Sequence, residues 1–286
     1  MRYDDRNTYR RRKIGDALRR FREERGLTQG AAGRLLERSQ ASLSSYENGH
    51  RAIRPRDLKH ILDSYGVTDE LVRTRLLSLA GHGRQDGWWH DFEERLEPGV
   101  LDHAALEAET SRIRAFQPHL VYGLLQTPEY ARAVISGSGT RLRSPRDIET
   151  AIDFRLGRQR IHDQKPPPRI SVVLGEAALH LEIGGPEVMQ HQRAKLLAIS
   201  ELSHIELQIL PFAAGAHPGV DGAFIILSSG PGQLLEVVSV HSLARSWYVD
   251  EPSDVDLYAE TFRRLQEMAL SEHDSRARIE RIGSLA

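Results

Sequence analysis

Apolar residues recur at spacings of three and four from Arg11 to Ala80, and the breaks between them hold capping residues. Ile14, Leu18 and Phe21 form the stripe of an amphipathic helix, which Gly26 ends because a left-handed residue costs least there. Thr28 caps a second helix holding Ala32, Leu35 and Leu36, and Ser39 caps a third that stops at Asn48-Gly49. Pro55 suits the first position of a fourth, with Leu58, Ile61 and Leu62 inward. Asp69-Glu70 open a fifth that runs through Leu76 and Leu79 to Gly81. The pattern predicts a five-helix bundle with an ordered core at about 11–80.

The segment HGRQDGWWH, 82–90, breaks the helical period and reads as a linker ending in an aromatic anchor. Trp88-Trp89 suits a domain interface, since two indoles bury much area and each needs a partner for its N–H. Beyond it, Ser111–Phe116 alternates Arg112 and Arg114 with Ile113 and Ala115, as a half-buried strand does. Thr127-Pro128 and Ser144-Pro145 each read as a cap followed by proline at the first helical position, the second with Asp147 as a capping-box variant. Lys165-Pro-Pro-Pro168 halts that helix. Strands are predicted at 169–174, 205–210, 223–228 and 234–240, with a helix at 186–202. A final amphipathic helix at 254–271 has Leu257, Phe262, Leu265 and Met268 apolar. The fold class expected is multidomain: an all-α five-helix domain at 1–82, a linker at 83–90, and an α+β domain with a mainly antiparallel sheet at 91–286.

The net charge of −1 hides a split. Residues 1–85 hold 19 Lys and Arg against 11 Asp and Glu, and residues 86–286 hold 20 against 29. A front end at +8 and a body at −9 point to anion binding by the first part. The absence of cysteine removes disulfides, thiol nucleophiles and cysteine-ligated zinc, and suits a reducing cytoplasm. The start, MRYDDRNTYRRRK, mixes charges and lacks an apolar core, so no secretory signal is expected there. ISVVL and AFIIL fall far below the ~20 apolar residues of a membrane helix, so no membrane partner is expected.

The third helix poses the functional question. In SQASLSSYENG, 39–49, only Leu43 and Tyr46 are apolar, and they lie three apart, on the side that holds the helix to the bundle. The other face is small and polar, which permits close approach to a groove. Two helices joined by a short turn can lay the second in the major groove with its first residues on base edges. Gln40 is the base reader of choice, because its amide pairs bidentately with adenine N6 and N7. Ala41 can touch a thymine methyl, and Ser45, one turn on, a neighbouring base. Gln29, Ser39, Ser42, Ser44, Asn48, His50, Arg51, Arg54 and Arg56 are assigned to the DNA backbone, fixing register without reading sequence. A glutamine alone on a surface helix is more often merely solvated; the constellation carries the assignment.

The stretch LTQGAAGRLLERSQASLSSYENGHRAIRP resembles the lambda-repressor-like (Xre) DNA-binding family. The resemblance implies a five-helix fold, with Gln40, Ala41 and Ser45 at base-contact positions and Gln29 at a phosphate contact. One extra residue precedes Pro55 in the basic loop. Further on, GWW at 87–89, YGLLQTPEYARA at 122–133, RLGRQ at 155–159, LGEAALH at 174–180 and ILPFAAGAHPG at 209–219 are similar in order and spacing to actinomycete Xre-type regulators of the WhiJ-like or antitoxin-like kind. Tyr122 stands where those sequences usually have proline. That resemblance implies transcriptional regulation and a small partner protein encoded nearby, and supplies no catalytic residues.

The residues themselves give enzymatic chemistry little support. HExxH, GxSxG and GxxxxGK[ST] are all missing, and the glycine pairs at 137–139, 184–186 and 230–232 read as turns. Of Glu176, His180, Glu182, His191, His204, His217, Asp221 and His241, the pair His217 and Asp221 is the least implausible site, and two ligands do not make one. GLLQTPEYARA reads as an apolar loop entering a capped helix, with packing favoured over partner contact. The expectation is a non-enzymatic regulator without cofactor or metal, binding an operator in double-stranded DNA as a homodimer. Its second domain would sense a small-molecule effector or bind a small partner protein. The alternative is an antitoxin-like protein that neutralises a small cognate partner and binds DNA for autoregulation.

Overall fold

Local capping sets the first half of the chain. In the computed structural model, which describes residues 8–81, 87–137, 144–229, 235–242 and 246–284, Thr8 caps helix α1, Tyr9–Glu24, through the Arg11 N–H. That start lies two residues ahead of the predicted one. Thr28 and Ser39 cap α2, Gln29–Leu35, and α3, Gln40–Glu47, accepting from the Ala31 and Ser42 N–H groups at 3.2 and 3.1 Å. Helix α4, Pro55–Ser64, starts on its proline, and Asp69 Oδ1 accepts from the Leu71 and Val72 N–H groups at the start of α5, Glu70–Gly81. Leu18, Leu43, Leu58, Ile61 and Leu62 are fully buried at the centre. Leu35 is not: it is 49% exposed, and Leu36 fills the inward place instead.

This first compact unit extends to Glu109 and includes a helix the apolar pattern did not predict, α6, Pro98–Ala108. Leu101, Ala104 and Ala105 are buried, and Asp102 is buried with them. Asp102 Oδ2 accepts from the Tyr9 N–H at 2.8 Å, and Arg10 reaches Asp102 at 3.7 Å and Glu109 at 3.1 Å. Helix α6 is thereby fixed to the start of α1. A short 3-10 helix, Trp88–Phe92, precedes it.

The second unit, Thr110–Ala286, is α+β. Its strands are β1, Arg112–Gln117; β2, Arg169–Gly175; β3, Ile205–Leu210; β4, Phe224–Ser229; β5, Leu235–His241; and β6, Ser246–Val249. They form one sheet in the order β3-β2-β1-β4-β5-β6, with β1–β2 and β2–β3 parallel and the other three ladders antiparallel. Helices α7, Pro128–Gly137, and α8, Pro145–Arg158, connect β1 to β2; α9, Ala177–His180, and α10, Pro186–Ile199, connect β2 to β3. Both parallel connections thus run through helices, as parallel pairing requires. Helix α11, Pro252–Met268, packs Phe262 and Leu265 onto Phe116, Val173, Phe224, Ile226 and Val238 of the sheet. Leu257 of that helix faces solvent at 64% exposure, so the predicted apolar stripe is narrower than four residues. The chain then forms α12, Glu272–Ser284, where the sequence pattern had ended at 271. Its charged side chains disguise it: Arg276 donates to Leu197 O at 3.0 Å and Ser200 Oγ at 2.6 Å, while Ile279 is buried. Strand β6 and the short α9 were likewise not predicted. Among the described residues no helix is long and apolar enough to cross a membrane.

Candidate nucleic-acid interface

Two glycines let α3 sit where it does. A Cβ on Gly33 of α2 would lie 2.7 Å from Arg38 O, and one on Gly15 of α1 would lie 2.6 Å from Tyr46 O. Neither site has room for a side chain, so α2 is pressed onto the turn, and α1 onto the end of α3, backbone to backbone. Beneath α3 the carboxylate of Glu47, 1% exposed, accepts from Arg22 Nε at 2.6 Å, Arg22 Nη2 at 3.0 Å and Gln29 Nε2 at 2.9 Å. The hydrogen bond to Glu47 holds the Arg22 pKa above its ordinary value. Tyr65, buried with its hydroxyl lacking a hydrogen-bond partner among the described residues, has its pKa pushed up to about 12, first by burial and then by the Glu47 charge. Arg38 adds a 3.0 Å ion pair to Asp57 in the first turn of α4. The helix is therefore anchored at its C-terminal end by charge and along its inner face by Leu43 and Tyr46, both buried.

The opposite face is open. Ser39, Gln40 and Ala41 are exposed at the start of α3, with Ser42, Ser44 and Ser45 half-buried along it. Gln40 carries its Oε1 over the start of α2, where a Cβ on Gly30 would lie 3.9 Å away. His50, Arg51, Arg54 and Arg56 are exposed in the loop and first turn that follow. Arg51 leans over the Tyr46 ring, 5.7 Å from its centroid. Arg54 is the N-cap residue of α4 and makes no side-chain cap bond, so its guanidinium is not used there. Of the base-contact candidates Gln40 and Ala41 are thus exposed and Ser45 half-buried, and the four basic backbone candidates are exposed.

Some of the predicted contacts have duties inside the chain. Gln29, assigned to a phosphate, is half-buried and donates to Glu47. Ser39 uses its hydroxyl oxygen as the α3 cap, and Ser44 accepts from Asn48 Nδ2 at 3.1 Å. Asn48 Oδ1 in turn accepts from Arg19 Nη2 at 2.6 Å, and the same guanidinium donates to Glu47 O at 3.2 Å. The sequence reading missed Arg19, Arg22, Arg38 and Glu47. A glycine inside a helical pattern, at 15 and at 33, was the available signal of a close helix contact.

In the second unit, Glu176 and His217, two of the residues weighed for catalysis, form hydrogen bonds within the chain. Glu176 accepts from the Phe212 N–H at 2.8 Å and from Arg278 Nη1 at 2.5 Å; these bonds hold its pKa below the usual carboxylate value against the opposing and largest effect of desolvation. His217 Nδ1 accepts from the Gly219 N–H at 3.2 Å and packs edge-on to Phe116, while Asp221 is exposed. Leu124, Leu125, Gln126 and Thr127 of the GLLQT segment are buried, and Thr127 caps α7 through the Tyr130 N–H. Trp88 and Trp89 stack edge-to-face at 5.9 Å between centroids within the first unit.

Two family models match the chain. One described as a helix-turn-helix domain covers residues 13–74, from within α1 to within α5, and supports a DNA-binding regulator. No curated protein matches, and neither does any solved structure. The other covers residues 100–281, more than half of the chain, so the protein belongs to the family described as Domain of unknown function (DUF5753), here carried behind a helix-turn-helix domain.

Proposed function

We propose that this chain is a sequence-specific transcriptional regulator that binds a two-fold operator as a homodimer. Gln40, Ala41 and Ser45 read bases; Ser42, His50, Arg51, Arg54 and Arg56 hold the phosphates, with Gln29, Ser39, Ser44 and Asn48 supporting register from within the turn. The observation that carries the reading is the two-sided character of α3. Its inner face is fixed by Leu43, Tyr46 and the buried Glu47, while Gln40 and Ala41 stand exposed at its N-terminal end. One such reader touches few base pairs, so pairing that sets two α3 helices about 34–36 Å apart gives a usable operator. The second unit is assigned to ligand sensing or partner binding, and to pairing of subunits. Both oxygens of Glu176 are engaged within the chain, which favours a non-catalytic role.

Selection of bound fragments from genomic DNA tests this. A recovered palindrome with half-sites one helical turn apart is expected, and a fragment pool with no enriched sequence would end the proposal.

A second reading rests on the likeness of the second unit's motifs to WhiJ-like and antitoxin-like regulators and on its acidic balance. Here the body, at −9 over residues 86–286, neutralises a small basic partner, and DNA binding serves autoregulation. A small protein co-purifying at fixed stoichiometry from the native host would favour it.

A further inference from the structure

The end of α3 carries a chain of hydrogen bonds whose direction is fixed by chemistry. Arg19 of α1 lies against the buried Glu47, its Nη2 donating to Glu47 O at 3.2 Å and its Nε 4.0 Å from Glu47 Oε2. The same Nη2 donates to Asn48 Oδ1 at 2.6 Å. A guanidinium has donors and no acceptor, so the amide atom facing it is the oxygen, and the amide nitrogen points the other way. That nitrogen, Asn48 Nδ2, donates to Ser44 Oγ at 3.1 Å. A hydroxyl has one hydrogen, and that of Ser44 cannot be given to a group that is itself donating. Among the described residues it meets no acceptor.

The Ser44 hydrogen is therefore available to a partner outside the chain. Gln40, Ser44 and Asn48 are spaced by four and follow one another along one face of the helix. Gln40 exposes that face at the N-terminal end, and Ser44, half-buried, sits one turn back, about 5.4 Å along the axis. With Gln40 on a base edge, a side chain so withdrawn faces the wall of the groove, where phosphate oxygens accept and never donate. Polarity decides whether Ser44 can use them. Were the Asn48 amide reversed, the hydroxyl would donate inward to its oxygen and offer an anion only lone pairs.

We propose that Arg19 is a positioning residue for DNA binding: it fixes the Asn48 amide, which makes the Ser44 hydroxyl a donor to a phosphate oxygen. This deepens the DNA-binding reading of α3 and rests on it. The effect is one of polarity and not of fold, since Arg22 and Gln29 hold Glu47 without help from Arg19.

A double-substitution cycle in the full chain, read by fluorescence anisotropy on the selected operator and on scrambled DNA at one salt concentration, tests the relay. Ser44→Ala should weaken binding to both DNAs about tenfold, as loss of a hydrogen bond to a charged acceptor does. Arg19→Met should cost about tenfold or more in the unsubstituted chain, but no more than about threefold in the Ser44→Ala background, where only its charge is left to lose. Arg19→Lys still presents a donor to Asn48, so it should bind within about threefold of the unsubstituted chain. Equal effects of Arg19→Met in the two backgrounds, a Ser44→Ala loss confined to the operator, or a loss in Arg19→Lys as large as in Arg19→Met would each overturn the proposal while operator selection stands. A chain that selects no operator overturns the DNA-binding reading and the relay with it, so the two failures are told apart.

Discussion

Arg22 on α1 and Glu47 at the end of α3 are joined by two hydrogen bonds, Nε to Oε1 at 2.6 Å and Nη2 to Oε2 at 3.0 Å, where the glutamate side chain is wholly buried. A pair this deep is asymmetric in its energetics. The intact pair adds little net stability, but removing Glu47 leaves the buried Arg22 with only the exposed Glu23, at 3.2 Å, to offset its charge, at up to about 3–5 kcal/mol. Glu47→Ala should therefore destabilise the first unit by that amount in urea denaturation. Arg22→Met combined with Glu47→Leu should recover much of it. A loss under about 1 kcal/mol in the single variant would mean that water solvates Arg22 without effort.

Gln40 makes no structural contribution comparable to Glu47, so its removal should show in binding alone. Gln40→Ala should weaken operator binding by about 1–3 kcal/mol and leave binding to scrambled DNA nearly unchanged. Fluorescence anisotropy on both duplexes at one salt concentration measures this. Equal loss on the two would move Gln40 into the phosphate-contact set.

Arg54 is exposed beside the start of α4 and does not cap it. A cation that meets a phosphate releases about one counterion, so Arg54→Ala should lower affinity for all sequences and reduce the slope of log K against log salt by about one. An unchanged slope would exclude a phosphate contact by Arg54.

The helices of the first unit were legible because their signals are local. Thr28, Ser39 and Asp69 cap within three residues of themselves, and Leu58, Ile61 and Leu62 repeat at helical period. The strands from β1 to β5 were legible as apolar runs or alternation. What escaped depends on partners distant in sequence. Arg22 and Glu47 are 25 residues apart and read as two more surface charges until the fold buries them. Helix α12 was missed because only Ser275, Ile279 and Ile282 of it are buried, among charged residues of which Arg276 reaches back to Leu197 O of α10. The candidate DNA face was legible in outline, from small polar residues opposite Leu43 and Tyr46. That Gln29 and Ser39 already serve the turn was not, since those bonds are set by how α2 meets α3.

Acid should strengthen the junction of α1 and α6. Burial pushes the Glu109 pKa up to about 7 and raises that of Asp102 as well, with Arg10 opposing both shifts. A carboxyl with a raised native pKa binds its proton more tightly when folded, so its favourable contribution is full below the unfolded value. It is lost as pH rises through the native one. For Glu109 the window runs from 4.5 to about 7, and the change is at most about 3 kcal/mol. Denaturant midpoints of the first unit should fall over that range, and Glu109→Gln should flatten the fall. A midpoint that rises from pH 5 to 7 and is insensitive to Glu109→Gln would contradict the assignment.

Four helix ends in the first unit close in the same way, and one of them lacks the residue that closure favours. After α1, α3 and α4, Leu27, His50 and Val67 donate back to Arg22 O, Ser45 O and Leu62 O, and the left-handed position is Gly26, Gly49 or Gly66, at φ 66°, 69° and 58°. After α2, Arg38 donates to Gly33 O at 2.8 Å and Glu37 to Arg34 O at 3.3 Å, with Glu37 itself at φ 53°. A side chain in that conformation costs about 1–2 kcal/mol, whereas the added chain entropy of glycine costs about 0.5–1 kcal/mol. Glu37 is exposed and sits at the turn that aims α3, so the substitution Glu37→Gly relieves strain without touching the core. It should raise the stability of the first unit by up to about 1 kcal/mol, read as a higher urea midpoint at unchanged m-value. A lower midpoint would mean that the glutamate side chain, and not the backbone geometry alone, holds the turn that presents Gln40.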